Sequence, residues 1–241
     1  MPTQTQTRRR PRRGRLIVFE GIDGTGKTTQ AKFLERDLRR AGHPCIRSHE
    51  PGGTKRGAVL RDLLLHPPRG RWRTKSETFL FLADRHEHVQ SVILPALERG
   101  QHVVLDRFTH STLAFQGYGG DLTLRERGEL SLILKFATDG LVPDLVILLD
   151  MPARDALARV RRRGDARTDF EKRGAPRNEK IRRGFLSIAR GQKKGQGRGQ
   201  NRGQNSRQSG SGEKTRFVVL DADQDEKVIR ARVWEAVAPL L

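Results

Sequence analysis

The octapeptide Gly21-Ile22-Asp23-Gly24-Thr25-Gly26-Lys27-Thr28, one residue after the apolar run Leu16-Ile17-Val18-Phe19, constrains this chain more than any other feature. Its spacing is G-x-x-x-x-G-K-[ST], the loop that cradles the phosphates of nucleoside triphosphates. Glycines let the backbone curl so that consecutive N–H groups point inward at anionic oxygens. Lys27 can then reach the β- and γ-phosphates, and the Thr28 hydroxyl can hold Mg²⁺. Such a loop belongs between a strand and a helix. The preceding run reads as a strand, and residues 29–38 follow with helical spacing, Phe33, Leu34 and Leu38 sharing a face. Residues Gly21 through Thr28, with Thr29 behind them, are therefore expected to bind a nucleoside triphosphate such as ATP.

Strand-like runs recur at 16–19, 45–46, 102–105, 145–149 and 217–220, with helix-compatible stretches at 28–41, 56–65, 76–98, 124–138, 153–163, 178–190 and 225–240. This alternation predicts an α/β fold with a central parallel five-stranded sheet and helices on both faces. Val103-Val104-Leu105 and Val146-Ile147-Leu148-Leu149 are continuous apolar runs, as strands buried on both faces should be. Each ends in an aspartate, Asp106 and Asp150. Ligands of open α/β sheets bind beyond the carboxyl ends of the strands, so both aspartates are candidates for the crevice that holds the phosphate loop.

The formal net charge of +20 is unevenly distributed. Residues 1–15 contribute +6, residues 154–183 contribute +7 and residues 184–216 another +7, while the rest is neutral. A nucleic-acid-binding domain should carry its charge on a folded face. Here residues 1–14 read as a disordered basic tail, because nothing in them can be buried. Residues 191–213, built mainly from Gly, Gln, Asn, Ser and Arg, read as a flexible insertion. The expected organisation is thus one domain over 15–241, with a basic lid at about 154–177. Non-specific polyanion contact through the basic segments is a further expectation. No apolar run approaches the ~20 residues of a membrane span. Cys45 is the only cysteine, which excludes an intrachain disulfide, and a cytoplasmic setting is expected.

Three further stretches bear on what accepts the phosphoryl group. In Phe81-Leu82-Ala83-Asp84-Arg85, the first and last residues lie four apart on one helix face. A flat ring beside a guanidinium can stack on a base and hydrogen-bond its carbonyl edge. The alternative is a core phenylalanine and a surface arginine. Asp106-Arg107 at a strand end suggests Mg²⁺ organisation and phosphate clamping, or else an ion pair closing the strand. Glu50-Pro51-Gly52-Gly53-Thr54 is a turn whose N–H groups can meet an anion.

Together these segments resemble the thymidylate kinase family. Its pattern is a phosphate loop, an R-E-P-G-G-T turn, an L-F-x-A-x-R helix, P-A-L-x-x-G-x-x-V, D-R-[YHF], S-x-x-A-[YF]-Q-G, a basic lid and a D-A turn. Here these are 21–28, 50–54, 80–85, 95–104, 106–108, 111–117, 154–173 and 221–222. The resemblance implies a P-loop nucleoside monophosphate kinase fold with a short basic lid, ATP as donor, dTMP as acceptor, Mg²⁺ and a homodimer. It implies that Phe81 stacks on thymine, Arg85 holds a base carbonyl and Asp23 accepts from the 3′-hydroxyl. Arg107 would bind the dTMP phosphate, and Thr28 and Asp106 would order Mg²⁺. Phe115 would exclude a 2′-hydroxyl, with Ser111, Thr112 and Gln116 as polar neighbours. The catalytic set is Lys27, Asp23, Asp106, Arg107 and a lid arginine from Arg159, Arg161, Arg162, Arg163 or Arg167, here assigned to Arg162. The phosphate loop has no basic residue among its variable positions, as in the bacterial lid-arginine type. Because thymine and uracil differ by one methyl, dUMP is expected to be a poor but not excluded acceptor.

Two positions depart from the family pattern. His49 stands where the family has Arg before Glu-Pro-Gly-Gly, leaving Arg47 or Arg56 as substitutes, and the lid reads Thr168-Asp169-Phe170-Glu171 in place of D-R-[FI]-E. They keep a second reading open: a weakened or repurposed P-loop kinase paralogue whose basic tails bind nucleic acid.

Overall fold

The computed structural model describes residues 13–164, 169–197 and 215–241. Five strands form one parallel sheet in the order β2-β3-β1-β4-β5: β1 (Leu16–Glu20), β2 (Cys45–His49), β3 (His102–Asp106), β4 (Leu145–Asp150) and β5 (Arg216–Asp221). Every residue of the central strand β1 is buried. Burying each large apolar side chain there is worth ~1.5–3 kcal/mol, which is why the two-faced apolar runs form the middle of the sheet. The register sets Phe19 opposite Asp106, Glu20 opposite Leu148, His49 opposite Asp106 and Asp150 opposite Asp221. The polar strand ends therefore share one edge.

Around the sheet run α1 (Lys27–Arg40), α2 (Lys55–Leu65), α3 (Thr74–His88), α4 (Leu94–Glu98), α5 (Thr109–Thr112), α6 (Leu124–Ala137), α7 (Ala153–Arg162), α8 (Asp169–Lys172), α9 (Ala175–Gly197) and α10 (Glu226–Val237). The helix expected over 76–98 is continuous in trace but changes pitch, with a π-helical stretch at Val89–Ile93 between α3 and α4. A second π-helical stretch, Leu113–Tyr118, follows α5. Sequence spacing marks neither, because a pitch of 3.6 was assumed throughout.

Local chemistry starts several helices. Thr54 Oγ1 accepts from Gly57 N at 2.9 Å to cap α2, and Thr123 with Glu126 forms a capping box on α6. In α7, Ala153, Ala156, Leu157 and Val160 are buried while Arg161 and Arg162 face outward.

Some boundaries differ from expectation. Gly14, placed in the tail, donates its N–H to Leu97 O at 2.8 Å. Helix α9 runs to Gly197, seven residues into the expected insertion. Residues 1–12, 165–168 and 198–214 lie outside the described residues, and with them most of the tail, most of the insertion, Arg167 and Thr168. The polyanion reading rests largely on those segments. Among the described residues no helix is long and apolar enough to cross a membrane.

Candidate active site

The phosphate loop connects β1 to α1, and three of its glycines have positive φ: Gly21 at 139°, Gly24 at 90° and Gly26 at 88°. A Cβ on Gly21 would lie 2.4 Å from Leu149 O, and one on Gly24 would lie 2.2 Å from Ala156 O. At Gly26 nothing lies within 4 Å. The loop is thus pressed against β4 and α7 on one side and open on the other, where the first N–H groups of α1 point. Lys27 Nζ donates to Ile22 O at 2.7 Å, and Thr25 Oγ1 donates to the same carbonyl at 3.0 Å. Burial and then the charge of Arg107 push the Lys27 pKa down to about 8, against the pull of Asp106, Asp23 and Glu20. Thr29, next in α1, is half-buried.

Beyond β3 the chain turns through Arg107, a non-glycine residue with φ 73°. Its side chain folds back over the loop: Nη1 donates to Gly21 O and Ser111 Oγ, both at 2.9 Å, and Nη2 to Asp23 Oδ1 at 2.7 Å. The guanidinium stands 4.8 Å from the centre of the Phe115 ring. Burial raises the Asp23 pKa, but Arg107 and Lys27 outweigh it and hold the carboxyl below the ordinary value. Thr28 Oγ1 donates to Asp106 Oδ2 at 2.6 Å, which puts two oxygen donors at one point. The strand-closing alternative, an Asp106–Arg107 pair, does not form, because Arg107 is committed to Asp23.

Arg85 is no surface residue. It is fully buried, with Nε donating to Glu50 Oε2 at 2.8 Å, Nη1 to Thr112 Oγ1 at 2.9 Å and Nη2 to Phe108 O at 3.0 Å. Three of its five N–H groups are thereby committed to the protein. Glu50 also meets His88 Nδ1 at 3.1 Å, and His88 Nε2 meets Ser48 Oγ at 2.7 Å. Gln116 Nε2 donates to Glu77 Oε1 at 2.7 Å. In the Glu50–Thr54 turn, Gly52 N donates to Asp84 Oδ1 at 2.9 Å, so one amide offered to an anion already has a partner.

Asp150, a crevice candidate by its place at a strand end, is held by Arg182 through two hydrogen bonds at 2.7 and 2.9 Å and serves to anchor α9. Arg47 pairs with Glu35 and Arg56 with Glu87. The guanidinium that adjoins His49 belongs to Arg61, which donates to Pro51 O at 2.7 Å. Burial and then Arg61 lower the His49 pKa, favouring the neutral ring.

The lid arginines separate by geometry. Arg159 is tied to Ala222 O at 2.9 Å and Asp223 at 3.1 Å. Arg161, Arg162 and Arg163 are all exposed. Arg163, one residue on, is the lid arginine whose charge helps lower the Asp23 pKa.

Sequence spacing also missed Phe170 and Glu20. Phe170 of α8 is buried, edge-on to Phe81 at 5.8 Å and to Phe115 at 6.1 Å. Beside it Arg173 stacks on the ring at 4.1 Å and pairs with buried Glu77, fastening the lid to α3. Glu20 is wholly buried, and burial pushes its pKa up to about 7 despite Ser111, Arg107 and two backbone N–H groups. Its position at a strand end was the only available signal.

A parallel five-stranded sheet, a phosphate loop at its central strand, an Asp–Arg pair across the crevice and a basic lid define a P-loop nucleoside monophosphate kinase, a phosphotransferase. A family profile described as thymidylate kinase matches residues 19–196. The chain belongs to the thymidylate kinase family. Among curated relatives, the thymidylate kinase of Carboxydothermus hydrogenoformans is 43% identical over 183 residues, covering 75% of this chain and 87% of that protein. That of Leifsonia xyli subsp. xyli is 40% identical over 225 residues, covering 92% and 93%. That of Caulobacter vibrioides is 36% identical over 228 residues, covering 95% and 98%. These similarities do not favour the reading as a repurposed, nucleic-acid-binding paralogue.

Proposed function

We propose that this chain transfers the γ-phosphoryl group of Mg-ATP to dTMP, giving dTDP and ADP. Within the family frame, the observation that carries the site assignment is the 2.7 Å Arg107–Asp23 pair suspended between the phosphate loop and the end of β3. The loop N–H groups and Lys27 hold the triphosphate. Arg107 holds the dTMP phosphate, one oxygen of which bonds to the γ-phosphorus as the bond to the β–γ bridging oxygen breaks. Ionised Asp23 accepts a hydrogen bond from the 3′-hydroxyl. Phosphoryl transfer asks mainly for positioning and cationic stabilisation, and the lid supplies the last cation from Arg162 or Arg163; the charge of Arg163 is the one that reaches Asp23.

Phe81 stacks on thymine, and Arg85 offers its remaining N–H groups to a base carbonyl. Phe115 closes the space beside C2′. Ser111 and Thr112 shape the pocket through Arg107 and Arg85, and Gln116 through Glu77. An all-oxygen pair, Thr28 Oγ1 and Asp106, suits a hard cation that retains waters and takes further ligands from phosphates. Those two residues would hold Mg²⁺, which when bound there neutralises phosphate charge.

The working form is a homodimer in the cytoplasm. Its support is an exposed apolar face on adjoining helices: Val59 of α2, Phe79 of α3, and Leu132 and Phe136 of α6, each more than 60% exposed. A patch of this kind on a folded chain marks an interface.

The deciding experiment is a coupled ADP-release assay with Mg-ATP and dTMP, dUMP, dCMP, dGMP or AMP. Turnover with dTMP well above the others, and weak turnover with dUMP, is expected. Preference for a purine monophosphate would overturn the pocket assignment.

A further inference from the structure

The end of β1 carries a buried carboxylate that the proposed reaction does not use. Glu20 has no exposed surface, and a carboxylate in such a place is costly unless fully hydrogen-bonded. Among the described residues, its hydrogen-bond partners all lie in the segment that follows Arg107. Glu20 Oε1 accepts from Phe108 N and Ser111 N, both at 3.0 Å, and Oε2 accepts from Ser111 Oγ at 2.5 Å. Phe108, the residue before α5, has no side chain that can cap the helix, so a side chain from the neighbouring strand does so.

These bonds have a consequence for Arg107. With its proton given to Glu20, the Ser111 hydroxyl turns a lone pair toward Arg107 Nη1 at 2.9 Å. The residue after Arg107 is pinned by the same carboxylate, which helps keep Arg107 in its left-handed backbone conformation. Glu20, Ser111, Arg107 and Asp23 thus form a chain of charge-assisted hydrogen bonds from the buried strand to the mouth of the crevice. Asp23 holds Arg107 from the front and Ser111 from behind.

We propose that Glu20 is a positioning residue for the acceptor phosphate, fixing the Arg107 guanidinium through Ser111 so that it stays in place when Asp23 turns to the acceptor. This rests on the assignment of Arg107 to the acceptor phosphate. Charged groups facing Glu20 are Arg107 from the turn after β3 and Lys27 from α1. A carboxylate supporting the donor side alone would act through Lys27 and leave Arg107 unaffected.

The test is Glu20→Gln in the full chain, made in both the parent and the Arg107→Ala background. Acceptor kcat/KM is measured together with ATP affinity and thermal midpoint. In the parent background, Glu20→Gln is expected to lower acceptor kcat/KM at least tenfold and change ATP Kd less than threefold. In the Arg107→Ala background, the same substitution is expected to change acceptor kcat/KM less than twofold. An equal loss in both backgrounds, or a parallel loss of ATP affinity, overturns the proposal. If Glu20→Gln does not fold, Ser111→Ala in the two backgrounds reads the same coupling, and equal losses there also overturn it. Failure of Arg107→Ala alone to impair the acceptor would instead sink the underlying assignment.

Discussion

Arg107 and Asp23 come from opposite walls of the crevice, 84 residues apart in sequence, and meet at 2.7 Å between Nη2 and Oδ1. The phosphate loop is thereby tied to the turn that follows β3. Either charge alone would leave the other stranded in a partly buried site.

Arg107→Ala is therefore expected to reduce acceptor kcat/KM by about 10²–10³, the scale of losing one charge-stabilising donor. ATP KM should move less than threefold. Initial rates at varied dTMP and fixed saturating ATP check this, and a matching rise in both KM values would count against the acceptor role.

Lys27→Ala is expected to abolish measurable turnover while the thermal midpoint stays within a few degrees. Lys27 Nζ has a carbonyl partner in Ile22, and removing that bond costs only about 1 kcal/mol net. Retained kcat at saturating ATP would take Lys27 out of the catalytic set.

Arg163→Ala should lower kcat more than Arg162→Ala, by at least tenfold if Arg163 reaches the transferred group, since such arginines are worth ~10³–10⁵ elsewhere. Single-turnover rates of the two variants decide between them. The larger loss at Arg162 would restore the assignment made from sequence.

Stability should respond to pH through His110, whose buried Nδ1 has no hydrogen-bond partner and whose ring lies edge-on to Phe217 at 5.0 Å. Burial and then Arg85 push its pKa down from 6.5 to about 4. The unfolded chain takes up this proton as pH falls below about 6.5 and the folded chain does not, so His110 destabilises the fold toward pH 4. Glu20 has the opposite slope: its folded pKa of about 7 stands above the ordinary 4.5, so it adds stability as pH falls through that interval. His110→Phe removes one of the two. Its stability relative to the parent should rise between pH 6.5 and 4, by ~3 kcal/mol at ~1.4 kcal/mol per pKa unit. Urea titrations at stepped pH read this, and a flat difference would rule His110 out.

Phe136→Glu should turn a dimer into a monomer in sedimentation velocity, because it places a charge on the most exposed ring of the apolar face. An unchanged species would move the interface elsewhere.

The phosphate loop and every strand but β2 were legible because their signals are contiguous: apolar runs of three to five residues, and glycines at fixed offsets; β2 showed only Cys45-Ile46. Asp106-Arg107 was legible for the same reason. What joins distant segments was not. Glu20 meets Ser111 across 91 residues and Arg85 meets Glu50 across 35, and no periodicity encodes such pairings. Helical spacing left Arg85 open between a base-binding role and a surface position, because a buried guanidinium needs partners that only the tertiary fold supplies. Arg162 and Arg163 are adjacent and both exposed, so spacing does not separate them. Arg61 carries no motif, and Phe170, at the [FI] place of the lid pattern, carries no sign of its neighbours; only packing brings them to His49 and to Phe81.

The Glu77–Arg173 pair carries a consequence for how two segments are joined. Glu77 holds Arg173 with one oxygen and Gln116 with the other. Loss of the Arg173 contact would leave that buried carboxylate with an amide as its remaining hydrogen-bond partner among the described residues, so the segments carrying Arg173 and Gln116 are coupled through a single side chain.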